Sequence, residues 1–486
     1  MLATVILTLV LFLAIYYIFS DSTSATPCNL PPGPTGVPLL GCLPWLPPAP
    51  CETFMRWSRR YGNVMSVRMG SELVVVLNGY DTIREALVNH WYQFSGRPLK
   101  WIWVAINDNK GLSSSDWSVW KEQRVTTLRI LRHFGMGKCD MEERISKESG
   151  ALVDAIGKMK GRPFDPTEYF HHATSNILVA IMFGKRMEYD DPEFEDLLKA
   201  TLTLTRTGRL AGIVSFFPFL LDLPVSLPMV SPLRQSMLTL RDYMINKIEE
   251  RHQLLNSQEP ACFIDHYLVR AKEKSLDESQ LPYVLIELIL GGSDTTATTL
   301  KWCILNLVHN PKSQKKIHGE VDMSVKDGKE LNYARRGEMP YTQACILETQ
   351  RLATLFQLGI PHRTMENVTL HGYNIPKDTL IFPNLWSAQM DENTWKQPKE
   401  FDPTRFLDES GQVIANKERL IVFGLGARSC IGAQIAKVGL FIILTSLLKE
   451  FEFRTPEGEP LPSRDGIHGI TYTPKQFNVV AVRRTP

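Results

Sequence analysis

Paired cysteines are missing. The eight cysteines stand at 28, 42, 51, 139, 262, 303, 345 and 430, and no two form a C-x-x-C pair. This argues against zinc ribbons, iron–sulfur clusters and c-type haem attachment. Eight cysteines in 486 residues are also too sparse for a disulfide framework, so a reducing compartment is the default. A dominant charge is missing too: a net charge of +2 gives no global basis for binding nucleic acid. No Gly/Ser-rich linker and no solenoid-period repeat interrupts the chain. One large folding unit is therefore expected, although the length alone would allow about two to four domains. No G-x-G-x-x-G follows a strand-like segment, so the chain carries no flavin or nicotinamide fingerprint. Lysine and arginine are absent before Arg56, which leaves the positive-inside rule nothing to act on at the N-terminus.

That N-terminus holds the one long apolar run, LATVILTLVLFLAIYYIF, eighteen uncharged residues at 2–19. As a helix it would span about 27 Å, close to a hydrocarbon core of about 30 Å. Without a basic leading segment it reads as an uncleaved anchor rather than a signal peptide, although Thr23-Ser24-Ala25 resembles a weak cleavage site. The expected organisation is an anchor at 1–20, a proline-rich hinge at 21–50 and a catalytic domain at 51–486. The hinge contains LPPGPTGVPLLG and LPWLPPAP, which lack backbone donors, fix φ and make a stiff tether. MSVRMGSELVVVL at 65–77 reads as two strands around Gly70-Ser71. Helical periodicity dominates from Asp81, most clearly near 120–132, 142–159, 234–255, 281–309, 341–353 and 431–450. Strand-like pieces return at 368–376 and 477–484. The fold class is mainly α, with a small β portion.

The stretch FGLGARSCIG at 423–432 carries the chemistry. A metal-binding cysteine acts as a thiolate, and Cys430 stands just before a strongly helical run, where free N–H groups favour a negative sulfur. Gly424, Gly426 and Gly432 permit a tight turn and the close approach of a planar group. Phe423 would shield the sulfur, and Arg428 would neutralise an anionic group of the ligand. A lone thiolate suits haem iron, whereas zinc wants three or four protein ligands. The loop resembles F-x-x-G-x-R-x-C-x-G of the cytochrome P450 family at every specified position.

Other segments strengthen the resemblance. ETQR at 348–351 is similar to the family's E-x-x-R, with Glu348 and Arg351 on one helix face, and FDPTRF at 401–406 is similar to its P-x-R-F. The resemblance implies a buried Glu348–Arg351–Arg405 cluster that fixes the haem-side core. GGSDTT at 291–296 corresponds to the distal-helix motif. Gly291 would open a groove for O₂, and Asp294 and Thr295 would deliver protons. The plainer alternative is a Ser/Thr cluster bonding back to carbonyls one turn earlier. WKEQR at 120–124 resembles W-x-x-x-R, so Trp120 and Arg124 would reach a haem carboxylate, joined by Arg97 of FSGRP, His362 of IPHR and Arg428. The N-terminal run, PPGP, LRHFGMGK at 131–138 and NLWSAQMDENTW at 384–395 are similar to animal microsomal members. The resemblance is family 2-like, with SVRMG and LPSRDGI similar to steroid hydroxylases.

The resemblance implies a P450 fold that binds haem b through Cys430. It further implies insertion of one atom of O₂ into a lipophilic steroid, fatty acid or foreign compound. Electrons would come from NADPH through membrane-bound NADPH–cytochrome P450 reductase, with cytochrome b5 as a second donor. The body would sit on the cytosolic face of the endoplasmic reticulum membrane. Lys121, Arg129, Arg132, Lys138 and Lys437 would form a basic face for an acidic partner, with a merely solvated helix face as the alternative. The apolar, proline-broken segment 212–230 would either dip into the bilayer or belong to the core. Rival readings are a thiolate-haem isomerase or dehydratase that needs no reductase, a haem-based gas sensor, and a cofactor-free membrane protein.

Overall fold

Alternating apolar residues at 64–78 build the first sheet. β1 (Val64–Met69) and β2 (Glu72–Asn78) pair antiparallel, Val64 opposite Leu77 through Met69 opposite Glu72. β6 (Leu380–Asn384) adds parallel to β2, and β3 (His362–Arg363) adds antiparallel to β6, giving the order β1-β2-β6-β3. A parallel neighbour needs a long crossover, and here most of the helical body lies between β2 and β6. The proline-rich segment lines the free side of β1. Pro31 O accepts from Ser66 Oγ at 2.7 Å, Pro32 O accepts from Ser66 N at 3.0 Å, and Cys42 N donates to Arg68 O at 2.7 Å. Proline cannot donate to a ladder but can accept at an edge, which suits this role. Three two-stranded ribbons complete the β portion: β4 (Val368–Leu370) with β5 (Tyr373–Ile375), β7 (Phe451–Arg454) with β10 (Val480–Arg483), and β8 (Gly466–His468) with β9 (Tyr472–Pro474).

The longer helices are α1 (Pro50–Tyr61), α2 (Trp117–His133), α3 (Cys139–Gly157), α4 (Thr167–Phe183), α5 (Pro192–Ala211), α6 (Ser231–Leu255), α7 (Phe263–Lys274), α8 (Leu281–His309), α9 (Pro311–Val325), α10 (Pro340–Ala353) and α11 (Ala433–Glu450). Several start with proline in the first turn, where its missing N–H costs nothing. α8 is apolar around most of its circumference, the signature of a central helix, and it contacts α4, α6, α10 and α11. One core cluster joins these helices, including Leu178, Ile289, Ala297, Ile304 and Phe441. The mainly helical architecture with a small β portion matches the sequence reading.

The computed structural model describes Thr8 and residues 29–484 apart from 48, 99–100, 136–138, 218–219, 221–229, 256–258, 327 and 329. Of the expected anchor at 2–19 only Thr8 falls among these, and Lys138 and most of 212–230 lie outside them. Among the described residues no helix is long and apolar enough to cross a membrane, and the transmembrane helix expected from the N-terminal run lies outside them apart from Thr8.

Candidate functional site

The cysteine loop runs into α11. Cys430 N donates to Phe423 O at 2.9 Å, closing the loop on itself, and the sulfur faces the N–H groups of Gly432 and Ala433 at the helix start. Gly426 has φ +70, and a Cβ there would lie 1.8 Å from Leu87 O, so only glycine fits. Cys430 is exposed, while Cys42, Cys51, Cys262, Cys303 and Cys345 are buried. Burial is nonetheless the largest influence on the Cys430 thiol and raises its pKa, opposed by the Gly432 N–H, the Arg124 charge and the Ala433 N–H. Lys437 Nζ lies 5.6 Å from the centre of the Phe423 ring.

Three sequence-predicted cations, Arg97, Arg124 and Arg428, converge beside this loop with His362. Arg97 is buried and donates to Ser113 O at 3.0 Å, Pro361 O at 2.8 Å and Ile360 O at 3.3 Å. Arg428 donates to Ser95 O at 3.0 Å, Leu112 O at 3.4 Å and Ser115 O at 2.9 Å. The buried Trp120 ring lies 4.5 Å from the Arg428 guanidinium and 5.7 Å from that of Arg124. Trp117, which lacks an arginine four residues on, stacks against Trp120 at 4.7 Å. Burial pushes Arg97 down to about 10, with Glu287 pulling the other way. Arg428 falls to about 8, through burial first and the Arg97 charge second. Arg124 is lowered by burial and held up by Cys430, which ties the cation cluster to the thiol. His362 is buried, and its Nδ1 lies 2.6 Å from Phe94 O. A carbonyl only accepts, so Nδ1 carries the hydrogen. Burial and then the Arg97 charge hold His362 well below its usual pKa. The ring is therefore neutral, and Nε2 accepts rather than donates.

On α8 the residues of the third motif part company. Residues 281–286, 289, 293, 294 and 296–308 are buried, while Glu287, Leu288, Leu290, Gly291, Gly292, Thr295 and His309 keep accessible surface. Leu288, Gly291, Gly292 and Thr295 follow i, i+3, i+4, i+7 and form one stripe, with Leu290 on the opposite side. Thr295 Oγ1 donates to Gly291 O at 2.6 Å, the back-bond weighed as the plainer alternative. Asp294, about 100° away on the helix, is 6% exposed and accepts from Thr471 Oγ1 at 2.9 Å. Asp294 and Thr295 are adjacent in sequence but face different surroundings. Gly291 meets open space, whereas a Cβ at Gly292 would lie 2.7 Å from Leu178 Cδ1. The second glycine therefore serves close packing against α4 and not a groove.

The expected Glu348–Arg351–Arg405 cluster is present. Arg351 Nε and Nη2 donate to Glu348 Oε2 and Oε1 at 2.7 and 2.8 Å, and Arg405 Nε to Oε1 at 3.2 Å. Glu348 and Arg351 have no accessible surface, and Gln389 O and Pro398 O take further Arg351 donors at 2.7 Å. Two residues escaped the sequence reading. Glu287 of α8 gathers donors from the 107–115 loop: Ser113 N at 2.9 Å, Asn107 Nδ2 at 3.2 Å, Ser114 Oγ at 3.4 Å, and Leu112 N and Ser113 Oγ more closely. His171 of α4 is buried with Nε2 3.8 Å from Asp294 Oδ1. The signal for Glu287 was a lone charge inside LPYVLIELIL, which burial obliges to find partners.

Residues 31–481 match the family model described as Cytochrome P450. Among curated relatives, Cytochrome P450 2U1 of Rattus norvegicus is 36% identical over 440 residues, covering 88% of this chain and 82% of that protein. Cytochrome P450 2D26 of Mus musculus is 34% identical over 501 residues, covering 98% of each. Cytochrome P450 2J2 of Homo sapiens is 35% identical over 467 residues, covering 94% of this chain and 92% of that protein. The expected animal family 2 kinship agrees with these matches. With relatives aligned over nearly its whole length and the family model spanning the cysteine loop, the chain belongs to the cytochrome P450 family and is a monooxygenase of the oxidoreductase class.

Proposed function

We propose that Cys430 Sγ ligates haem b, that Arg97, Arg124, Trp120 and Arg428 hold its carboxylates, and that the substrate is a lipophilic small molecule. One observation carries the haem reading. Arg97, Arg124 and Arg428 are desolvated beside an accessible thiol, and their pKa values fall because burial outweighs the nearby anions, with the Arg97 and Arg124 charges adding to the fall of Arg428. Two carboxylates of a bound group would reverse that imbalance. They would also favour a protonated His362, whose Nε2 could then donate. Phe423 lies within the loop that closes on Cys430 and would keep water from the sulfur.

Haem bound there supplies oxygen activation, placing one atom of O₂ in the substrate and releasing the other as water. The chain's own residues do the rest. The accessible Leu288, Gly291 and Thr295 offer an apolar wall with one hydroxyl. Thr295 commits its proton to Gly291 O and so presents lone pairs to the cleft, where it would hold a water or accept a proton. Asp294 would pass protons from behind.

Electrons would come from NADPH by way of the membrane-bound reductase, with cytochrome b5 as a second donor. Lys121, Arg129 and Arg132 are exposed on α2, and Lys437 is exposed on α11 beside the Phe423 ring. Such a basic face beside the cysteine loop suits an acidic partner. An endoplasmic reticulum location with a cytosolic body rests on the microsomal relatives and the apolar run at 2–19. The test is Cys430→Ala. The haem content and the red-shifted band of the reduced carbon monoxide complex should both disappear, and retention of that band would remove Cys430 as ligand.

A further inference from the structure

We infer that His171 is the proton reservoir of Asp294, a positioning residue on α4 that recharges this carboxyl through the seam between α4 and α8. The inference rests on the proposed role of Asp294 in proton delivery. His171, Thr174, Ser175 and Leu178 follow i, i+3, i+4, i+7 along α4 and share one face. Leu178 lies against Gly292, and Thr174 Oγ1 donates to Ser293 O at 2.9 Å, so this face meets α8 at the motif. In the seam, His171 Nε2 stands 3.8 Å from Asp294 Oδ1, and both residues are more than nine-tenths buried. Thr471 Oγ1 holds the other carboxylate oxygen at 2.9 Å.

A charge buried in an apolar core is costly unless matched. An imidazolium with a carboxylate, and an imidazole with a carboxylic acid, carry the same net charge and differ only in where one proton sits. The seam therefore stores one proton at no change in net charge. A separation of 3.8 Å is beyond a direct hydrogen bond, and is crossed by a small side-chain rotation or by one bridging hydroxyl or water. Ser175 Oγ on the His171 face of α4, and Ser293 Oγ and Thr298 Oγ1 on α8 next to and one turn from Asp294, are buried and without a hydrogen-bond partner. Buried hydroxyls are ordinarily satisfied, so three orphans around one His–Asp pair mark a place built for exchangeable protons. The step moves no electrons. Starting from imidazolium and carboxylate, His171 Nε2 passes its proton to Asp294 Oδ1, Asp294 releases that proton towards the cleft, and bulk water returns one proton to the imidazole.

The test uses the full-length, haem-loaded protein with His171→Phe, which keeps a ring but carries no proton, and His171→Gln, which keeps polarity but does not titrate. Positioned proton donors contribute about 10²–10⁴-fold, and a residue one step removed should account for about tenfold. Both variants should lose about that factor in product formed per NADPH-derived electron. Turnover driven by an organic hydroperoxide, which brings its own oxygen and proton, should be unchanged. Infrared difference spectra should show the C=O stretch of a protonated buried carboxyl growing in His171→Phe and vanishing in the double variant with Asp294→Asn. Equal losses with NADPH and hydroperoxide, or a carboxyl band indifferent to His171, would overturn the inference. Failure of the haem reading is distinct: wild-type protein would then lack the reduced carbon monoxide band, whereas the infrared signal reads the pair with or without haem.

Discussion

Replacing Glu287 should loosen the cation cluster from a distance, because this carboxylate holds the loop whose carbonyls hold the arginines. The loop donates to Glu287 through Ser113 N, Ser113 Oγ, Leu112 N, Asn107 Nδ2 and Ser114 Oγ. It accepts from Arg97 at Ser113 O and from Arg428 at Leu112 O and Ser115 O. Glu287→Ala leaves the donors facing a void and removes the negative charge that supports both arginines. Hydrogen bonds to a charged group are worth about 1.5–3 kcal/mol each, but groups sharing one acceptor are not additive. Breaking a buried charged network by deleting one member costs about 3–5 kcal/mol, the loss expected for Ala. Glu287→Gln keeps the shape and one acceptor oxygen, and its cost should be about 1–2 kcal/mol, near one neutral hydrogen bond.

The two forms of residue 287 also differ in pH dependence. The residue keeps some accessible surface, yet its carboxyl is enveloped by the loop, and burial raises its pKa. A carboxyl raised in the folded state binds a proton that the unfolded chain has released, so its contribution to stability falls as pH rises from the unfolded value towards the folded one. Glutamine does not titrate. The penalty of Glu287→Gln should therefore be larger at pH 5 than at pH 7. Urea unfolding of the haem-loaded protein, followed by loss of the Soret band and by circular dichroism, measures both quantities. A cost for Ala below about 1 kcal/mol, the level of an ordinary surface change, or a Gln penalty that grows towards pH 7, would refute the reasoning.

Glu348→Ala strands Arg351, which has no accessible surface, and should cost about 3–5 kcal/mol and most bound haem; a haem-to-protein ratio matching wild type would contradict it. Gly426→Ala forces a side chain into a left-handed residue, about 1–2 kcal/mol of strain, and against Leu87 O. The expected result is a lowered Tm with poor haem retention, read by thermal unfolding and pyridine haemochrome. In the haem-free protein His362 is held below its usual pKa by burial, so the unfolded chain takes up a proton that the folded one refuses. Stability should thus fall below pH 6.5 by up to about 1.4 kcal/mol per pH unit. His362→Gln should flatten that slope in urea midpoints between pH 5 and pH 7, and parallel curves would exclude His362 as its source.

What the sequence shows and hides follows from how far each signal reaches. The 281–309 helix was legible to the residue because proline occupies its second position and Asn310-Pro311 ends it. The 65–77 hairpin was legible from alternation around Gly70-Ser71, and Cys430, Trp120, Arg124 and Arg428 stood in local motifs. Glu287 and His171 were hidden because their partners lie 174 and 123 residues away, at Ser113 and Asp294, and no local pattern pairs them. The side of α8 that each motif residue faces was within reach, since a 100° step separates Asp294 from Thr295. If Thr295 borders the cleft, Asp294 points into packed helices, where a carboxylate needs a partner. The same rule that seats Glu287 among loop donors seats Asp294 against an imidazole. On the proposed relay, a proton reaching Thr295 from Asp294 would enter through the α4–α8 seam rather than from the wet face of α8.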